Sequence, residues 1–279
     1  MGVMPAATTR SGVAIPQVGF GTYKVTDNTA QIVTDALSVG YRHVDTAQMY
    51  RNEREVGEGW KGSGLAREQI FLTSKLNNPN HAPEDARRTF KQTLIDLQTD
   101  YVDLFLIHWP VPMHYGGDFA STWAVLEEFA AEGRARSIGV SNFEAHHLEQ
   151  LMRTAKVLPA VNQIESHPYF AQEGLHAVNA RHGIVTEAWS PLARGAIVTD
   201  PVLERIGAQY GKSPSQVALR WGVQRGDVVL PKSSTPKRQR ENLDIFDFEL
   251  TEEDMRAIFD LDRGEDGRTG THPDRMDRL

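Results

Sequence analysis

The chain has 279 residues, with 30 Lys plus Arg against 37 Asp plus Glu and a formal charge of −7. That length holds one or two domains and a sizeable core, and 40% apolar with 24% charged residues excludes wholesale disorder, collagen-like repeats and long coiled coils. The negative balance argues against a nucleic-acid partner, and the absence of cysteine removes disulfides, thiolate chemistry and cysteine-held metals. The first twelve residues lack a cationic start followed by an apolar run, and no stretch approaches 18 apolar residues. The expectation is a soluble, cytoplasmic chain with no membrane partner, acting as a monomer.

In chain order, short β-rich runs fall at 17–21, 42–44, 70–75, 102–107, 135–140, 160–164, 184–188 and 228–230. Helical-period runs alternate with them at 28–39, 52–63, 83–97, 119–131, 144–154, 172–181, 214–224 and 236–243. Pro83 and Pro214 stand near helix starts, Ser213 is placed as a cap, and Gly40, Gly133 and Gly183 lie just past helix ends. Eight strands, each followed by a helix, predict an α/β fold: a (β/α)8 TIM-type barrel rather than an open doubly wound sheet. Two additional helices are expected over 200–211 and 251–260, the second capped by Thr251 with Asp254 three residues on. No repeat or low-complexity linker divides the chain, so 1–279 reads as one domain. Its tail, 262–279, is rich in Gly, Asp and Arg and has no period; it is either disordered or folded over the barrel mouth.

Such barrels carry their active sites at the carboxyl ends of the strands. The second strand ends at Asp45, the third at Lys75 and the fourth at His108, with Tyr50 in the loop after Asp45. A phenol exchanges protons poorly at neutral pH unless a cation stabilises its phenolate, which Lys75 could do. Buried Lys75 would need a partner, and Asp45 can supply one. His108 could orient or polarise a carbonyl. Each residue alone has a plainer reading as a packing tyrosine, a structural ion pair or a core histidine; only their coincidence at one barrel end favours chemistry.

After the eighth strand, residues 231–242 place Lys232, Lys237, Arg238 and Arg240 with three hydroxyls at a helix start, a natural phosphate site. A solvated basic helix face is the alternative. Ser141, Asn142 and Gln163 offer amides and a hydroxyl at the same barrel end, and Trp189 offers an aromatic face. Stacking, amide recognition and phosphate binding together describe a nicotinamide dinucleotide, and no G-x-G-x-x-G supports a Rossmann mode.

The runs Gly40 to Ala47 with Tyr50, Asn52 and Glu53, Leu104 to Pro110, Ser137 to Phe143, and Pro231 to Ser233 with Arg238, Glu241 and Asn242 closely resemble the signatures of the aldo-keto reductases. The match runs from about residue 15 to 248. Within that family the chain looks most like the bacterial 2,5-diketo-D-gluconate reductase and prostaglandin F synthase-like branch, including the tail stretch from Gly267 to Pro273. The resemblance implies an NADPH-dependent reductase of aldehydes and ketones, α-dicarbonyls and keto-sugars among them, with an N-terminal hairpin closing the barrel floor and no metal. It implies Tyr50 as general acid tuned by Lys75 and Asp45, with His108 orienting the carbonyl. Ser141, Asn142 and Gln163 would hold the carboxamide, and Trp189 would stack on the nicotinamide. Gly21, Thr22, Ser190, Leu192 and Gly195 would line the cofactor. Lys232, Ser233 and Arg238 would take the 2′-phosphate, with Glu241 and Asn242 on the adenine. Tyr23, Met49, Asn77 and Trp109 would line the substrate pocket; Asn77 stands where relatives usually carry Trp, which would open one side.

Two other readings differ in class. His43, Asp45, His108 and His167 could ligate a metal in a barrel hydrolase, or the chain could be a cofactor-binding sensor with slow turnover. The arginines Arg268, Arg275 and Arg278 could draw a carboxylate substrate if the tail folds over the mouth.

Overall fold

The computed structural model describes residues 5–279. A short antiparallel hairpin, β1 (Ala6–Thr8) and β2 (Ala14–Pro16), precedes eight parallel strands. These are β3 (Phe20–Gly21), β4 (His43–Asp45), β5 (Phe71–Leu76), β6 (Val102–Ile107), β7 (Ala135–Ser141), β8 (Val161–Glu165), β9 (Val185–Trp189) and β10 (Val228–Leu230), each paired with the next. The first and last strands also meet. Gly19 N–H donates to the Val229 carbonyl at 2.9 Å and Val229 N–H to the Gln17 carbonyl at 2.8 Å. These bonds close the expected barrel. The first strand is nonetheless shorter than 17–21: only Phe20 and Gly21 pair with β4, while Val18 bridges Val229.

Among the described residues, ten helices cover the barrel: α1 (Thr29–Val39), α2 (Glu53–Gly62), α3 (Pro83–Asp96), α4 (Ala120–Ala131), α5 (Ala145–Met152), α6 (Glu173–Arg181), α7 (Pro201–Tyr210), α8 (Pro214–Gln224), α9 (Pro236–Leu243) and α10 (Glu252–Phe259). Their ends follow local chemistry. Ser213 Oγ accepts from the Gln216 amide, and Thr251 Oγ1 from the Asp254 amide, so both expected caps form. Gly133 and Gly183 take φ of 72° and 64° just past α4 and α6. The added helices α7 and α10 share their own apolar cluster through Leu203, Ile206 and Ile258.

Strand parity sorts the core into layers. On β6, Leu104 and Leu106 join the barrel-interior cluster, while Phe105 and Ile107 join the cluster beneath the helices. Ile15 from β2 packs with Phe71, Leu104, Val161 and Val228, plugging the floor. Moving up the same inward parity, apolar side chains give way to polar ones: Phe71, Thr73 and Lys75 on β5; Val161, Gln163 and Glu165 on β8; Val185, Glu187 and Trp189 on β9. The fold thus places a polar layer above an apolar floor, at the carboxyl end of the strands.

Candidate active site

Lys75 is fully buried, and its ammonium is saturated by neighbours from β4 and the turn after it. Nζ donates to Asp45 Oδ1 at 2.7 Å, Asp45 Oδ2 at 2.8 Å and the Thr46 carbonyl at 2.9 Å, and it lies 3.4 Å from the Tyr50 hydroxyl. Burial pulls the lysine down, but Asp45 and Tyr50 outweigh it and hold the ammonium above its ordinary range. Tyr50 sits on a single 3-10 turn, Gln48–Tyr50, which brings its ring edge-on to His108 with centroids 5.7 Å apart. Burial pushes the phenol up to about 12 against the pull of Lys75. Burial, then Lys75, drives His108 well below its usual value, so its ring is neutral, and its Nδ1 has no partner among the described residues. The four expected catalytic residues therefore meet at one point.

The Asn52–Glu53 pair behind them is structural support. Asn52 Nδ2 donates to the carbonyls of Thr22 and Val25 at 3.1 Å each, lacing two barrel loops together. Glu53 Oε1 accepts from Ser74 Oγ at 2.5 Å, one residue before Lys75, and burial raises its carboxyl to about 7.

Several expected cofactor contacts are engaged with the protein itself. Thr22 Oγ1 donates to the Asp45 carbonyl at 2.9 Å and Ser141 Oγ to the Gln163 carbonyl at 2.8 Å. Asn142, at φ 62°, donates to the His108 carbonyl at 2.9 Å and accepts from the Trp189 indole N–H at 2.9 Å. That bond fixes the plane of Trp189 at the mouth. Gln163 Nε2 donates to Asp45 Oδ2 and Glu187 Oε2, both at 2.9 Å, and its Oε1 has no partner among the described residues. The loop beyond Trp189 carries positive φ at Ser190, Ala193, Arg194 and Gly195, a turn-rich strap that also includes Leu192. At α9, Lys232 and Arg238 are exposed, with no acidic partner within 4 Å among the described residues, while Lys237 lies 3.9 Å from Glu241. Ser233 and Asn242 are buried beneath them, and Gly21 faces the Leu230 and Pro231 carbonyls.

The mouth is aromatic and includes residues that the sequence left unassigned. Tyr23 packs on Tyr50 with centroids at 5.1 Å. Met49 and Trp109 meet Val111 and Met276, the last of these from the tail. Asn77 Oδ1 accepts from Asn78 N–H at 3.0 Å, capping the following turn.

The tail takes the folded alternative. Asn78 Nδ2 donates to the Arg278 carbonyl at 2.8 Å, and Thr269 and Gly270 N–H groups donate to Glu165 at 2.8 and 2.9 Å. Burial raises Glu165, but donors from His167, Thr269 and Gly270 override it and hold the carboxyl low. Gly270 has to be glycine there, because a Cβ would lie 2.6 Å from the Trp189 ring. Asp274 Oδ1 lies 3.0 and 3.1 Å from Nε2 of His146 and His147. Arg268 does not face the pocket: it is bound by Glu265 and Glu144, which removes it from the proposed carboxylate lure. The alternative metal set does not converge: among the described residues, the side chains close enough to share an ion are His146, His147 and Asp274, not His43, Asp45, His108 and His167.

Glu187 and Met276 are the functional candidates missed from sequence. Glu187 shares inward parity with Trp189 and pairs in register with Gln163, a signal readable once β9 is drawn. Met276 had none, since its partners lie over 160 residues away.

Residues 17–263 match the aldo/keto reductase family model. The chain is 45% identical to an aldo-keto reductase of Mycolicibacterium smegmatis over 96% of this chain and 97% of the relative. It is also 45% identical to the glyoxal reductase of Bacillus subtilis, over 95% of each chain. Among solved structures, a Gox0644 variant in complex with NADPH superposes with a TM-score of 0.93 at 41% identity, covering 98% of this chain and 99% of that one. The barrel, the Asp45–Lys75–Tyr50–His108 cluster and these matches agree: the chain belongs to the aldo/keto reductase family and is an oxidoreductase acting on carbonyl groups.

Proposed function

We propose that this chain reduces small aldehydes and α-dicarbonyls to alcohols with NADPH, using Tyr50 as the proton donor. The observation that carries the reading is the Lys75 ammonium, clamped by both Asp45 oxygens and 3.4 Å from the Tyr50 hydroxyl. NADPH, when bound, supplies a hydride to the carbonyl carbon. Tyr50, protonated at neutral pH because burial holds it near 12, gives its proton to the carbonyl oxygen as that oxygen gains charge. Lys75 stabilises the phenolate that results, and Asp45 keeps Lys75 charged in a dry site. His108 is neutral and can offer one ring N–H to the same oxygen, orienting it.

The residues fit the cofactor. Trp189 presents a ring fixed by Asn142 for stacking, and the unpartnered Gln163 Oε1 suits a carboxamide N–H. Lys232 and Arg238 stand exposed at the start of α9 for a 2′-phosphate, with Ser233, Glu241 and Asn242 beside them. Gly21, Thr22, Ser190, Leu192 and Gly195 border the path between. All of these come from one chain, so a monomer, acting in the cytoplasm, completes the site. The dicarbonyl preference rests on the similarity to a glyoxal reductase. NADPH oxidation by the purified chain across aldehydes, α-dicarbonyls and keto-sugars, beside NADH, tests this: turnover with NADPH well above NADH supports it, and no NADPH binding overturns it.

A further inference from the structure

Glu187 lies fully buried in the polar layer of the barrel, joined to the catalytic cluster through Gln163. Its Oε2 accepts from Gln163 Nε2 at 2.9 Å, and the second hydrogen of that amide goes to Asp45 Oδ2 at 2.9 Å. Its Oε1 makes no hydrogen bond among the described residues, the nearest ring nitrogen being His43 Nε2 at 3.9 Å. A side-chain amide has two N–H donors and one carbonyl. With both donors taken by carboxyl groups, a flip would turn the amide oxygen onto two acceptors, so only one orientation is favourable. The Gln163 oxygen then faces away from both carboxyl groups.

We propose that Glu187 is a positioning residue that sets the Gln163 amide, so that Gln163 Oε1 accepts from the nicotinamide carboxamide N–H. This rests on the NADPH reading above and adds to it the residue that holds the carboxamide's partner in place. Asp45 alone holds the amide at one hydrogen and leaves the other without a partner; Glu187 takes that second hydrogen and fixes the amide from both sides. A neutral carboxyl performs the task with its proton on Oε1, the oxygen without a partner, because Oε2 then presents only lone pairs to Gln163. The charged and titratable groups around it are Asp45 and His43 from β4 and Lys75 from β5: burial first and Asp45 next raise Glu187 to about 8, against the opposing pull of the Gln163 hydrogen bond and Lys75. The inward side chains facing it from β8 and β5, Gln163 and Thr73, do not titrate.

The test measures dissociation constants by protein fluorescence for NADPH and for reduced 3-acetylpyridine adenine dinucleotide phosphate, whose acetyl group has no N–H. Glu187→Met weakens NADPH about tenfold, the value of one well-placed hydrogen bond, and leaves the acetylpyridine analogue unchanged. Glu187→Gln, which keeps one acceptor and no charge, restores NADPH binding to within about threefold of the parent, again on that scale. Glu187→Thr, better suited to a strand, replaces Glu187→Met if the latter does not fold. Equal losses for both cofactors, or no loss for NADPH, overturn the proposal. A parent chain that binds neither cofactor overturns the underlying reading instead, which separates the two failures.

Discussion

The polar layer inside the barrel and the mouth above it are held by different means. Within the layer, Asp45, Lys75, Gln163 and Glu187 are each at most 3% exposed, stand on adjacent or facing strands, and reach one another by bonds of 2.7 to 2.9 Å. At the mouth, Tyr23 is 52% exposed, and closure comes from the tail, through Met276 on Trp109 and Arg278 on Asn78. Strand register therefore fixes the chemistry, while loops and a distant segment shape access. Changes in the layer should alter the reaction itself; changes at the mouth should alter what enters.

The sharpest way to break this division is Lys75→Met. It leaves Asp45 buried without its partner, so stability falls by about 3–5 kcal/mol, and turnover falls by about 10²- to 10⁴-fold; denaturant titration and steady-state assays read the two effects. A smaller and different loss is expected from Arg238→Ala, whose exposed guanidinium lies outside the layer. It should raise the NADPH dissociation constant about tenfold and leave NADH unchanged, as measured by fluorescence titration. Met276→Ala opens the mouth against Trp109 and Val111. Substrate KM should change by about three- to tenfold, with NADPH affinity unaltered.

The smallest expected effect is on pH-dependent stability, and its sign follows from the layer. Glu53 and Glu187, raised by burial to about 7 and 8, bind protons more tightly in the folded state than in the unfolded one. Stability contributed by their protonated forms is therefore full below about 4.5 and lost as pH rises from there through about 7 to 8. His43 and His81, lowered by burial to about 4, act at the other end: their contribution is lost as pH falls from about 6.5 toward 4. Glu53→Gln should gain on the parent between pH 5 and 8, the Tm difference shifting in its favour by roughly 2–4 °C. Thermal unfolding across that range reads it.

The same division explains what was legible in sequence. Alternating runs, helix caps at Ser213 and Thr251, and the placement of Asp45, Lys75 and His108 at strand ends are local signals, and local signals carried the barrel and the meeting of these side chains at one end of it. Strand ends were less readable: β8 and β9 extend to Glu165 and Trp189 because their ladder continues past the apolar run. Glu187 went unnoticed because an acid inside an apolar strand resembles an outward residue until parity is counted from Trp189. Met276 and the Glu165 anchor depend on contacts over 100 residues apart in the chain, which no local pattern encodes.

The central claim is that Tyr50 gives the proton and Lys75 makes that possible. Single-turnover oxidation of bound NADPH with glyoxal, comparing the parent with Tyr50→Phe at equal cofactor saturation, tests it most directly. The account predicts unchanged NADPH affinity and a rate lower by about 10²- to 10⁴-fold. A rate within threefold of the parent would contradict it, and the proton would have to come from another group.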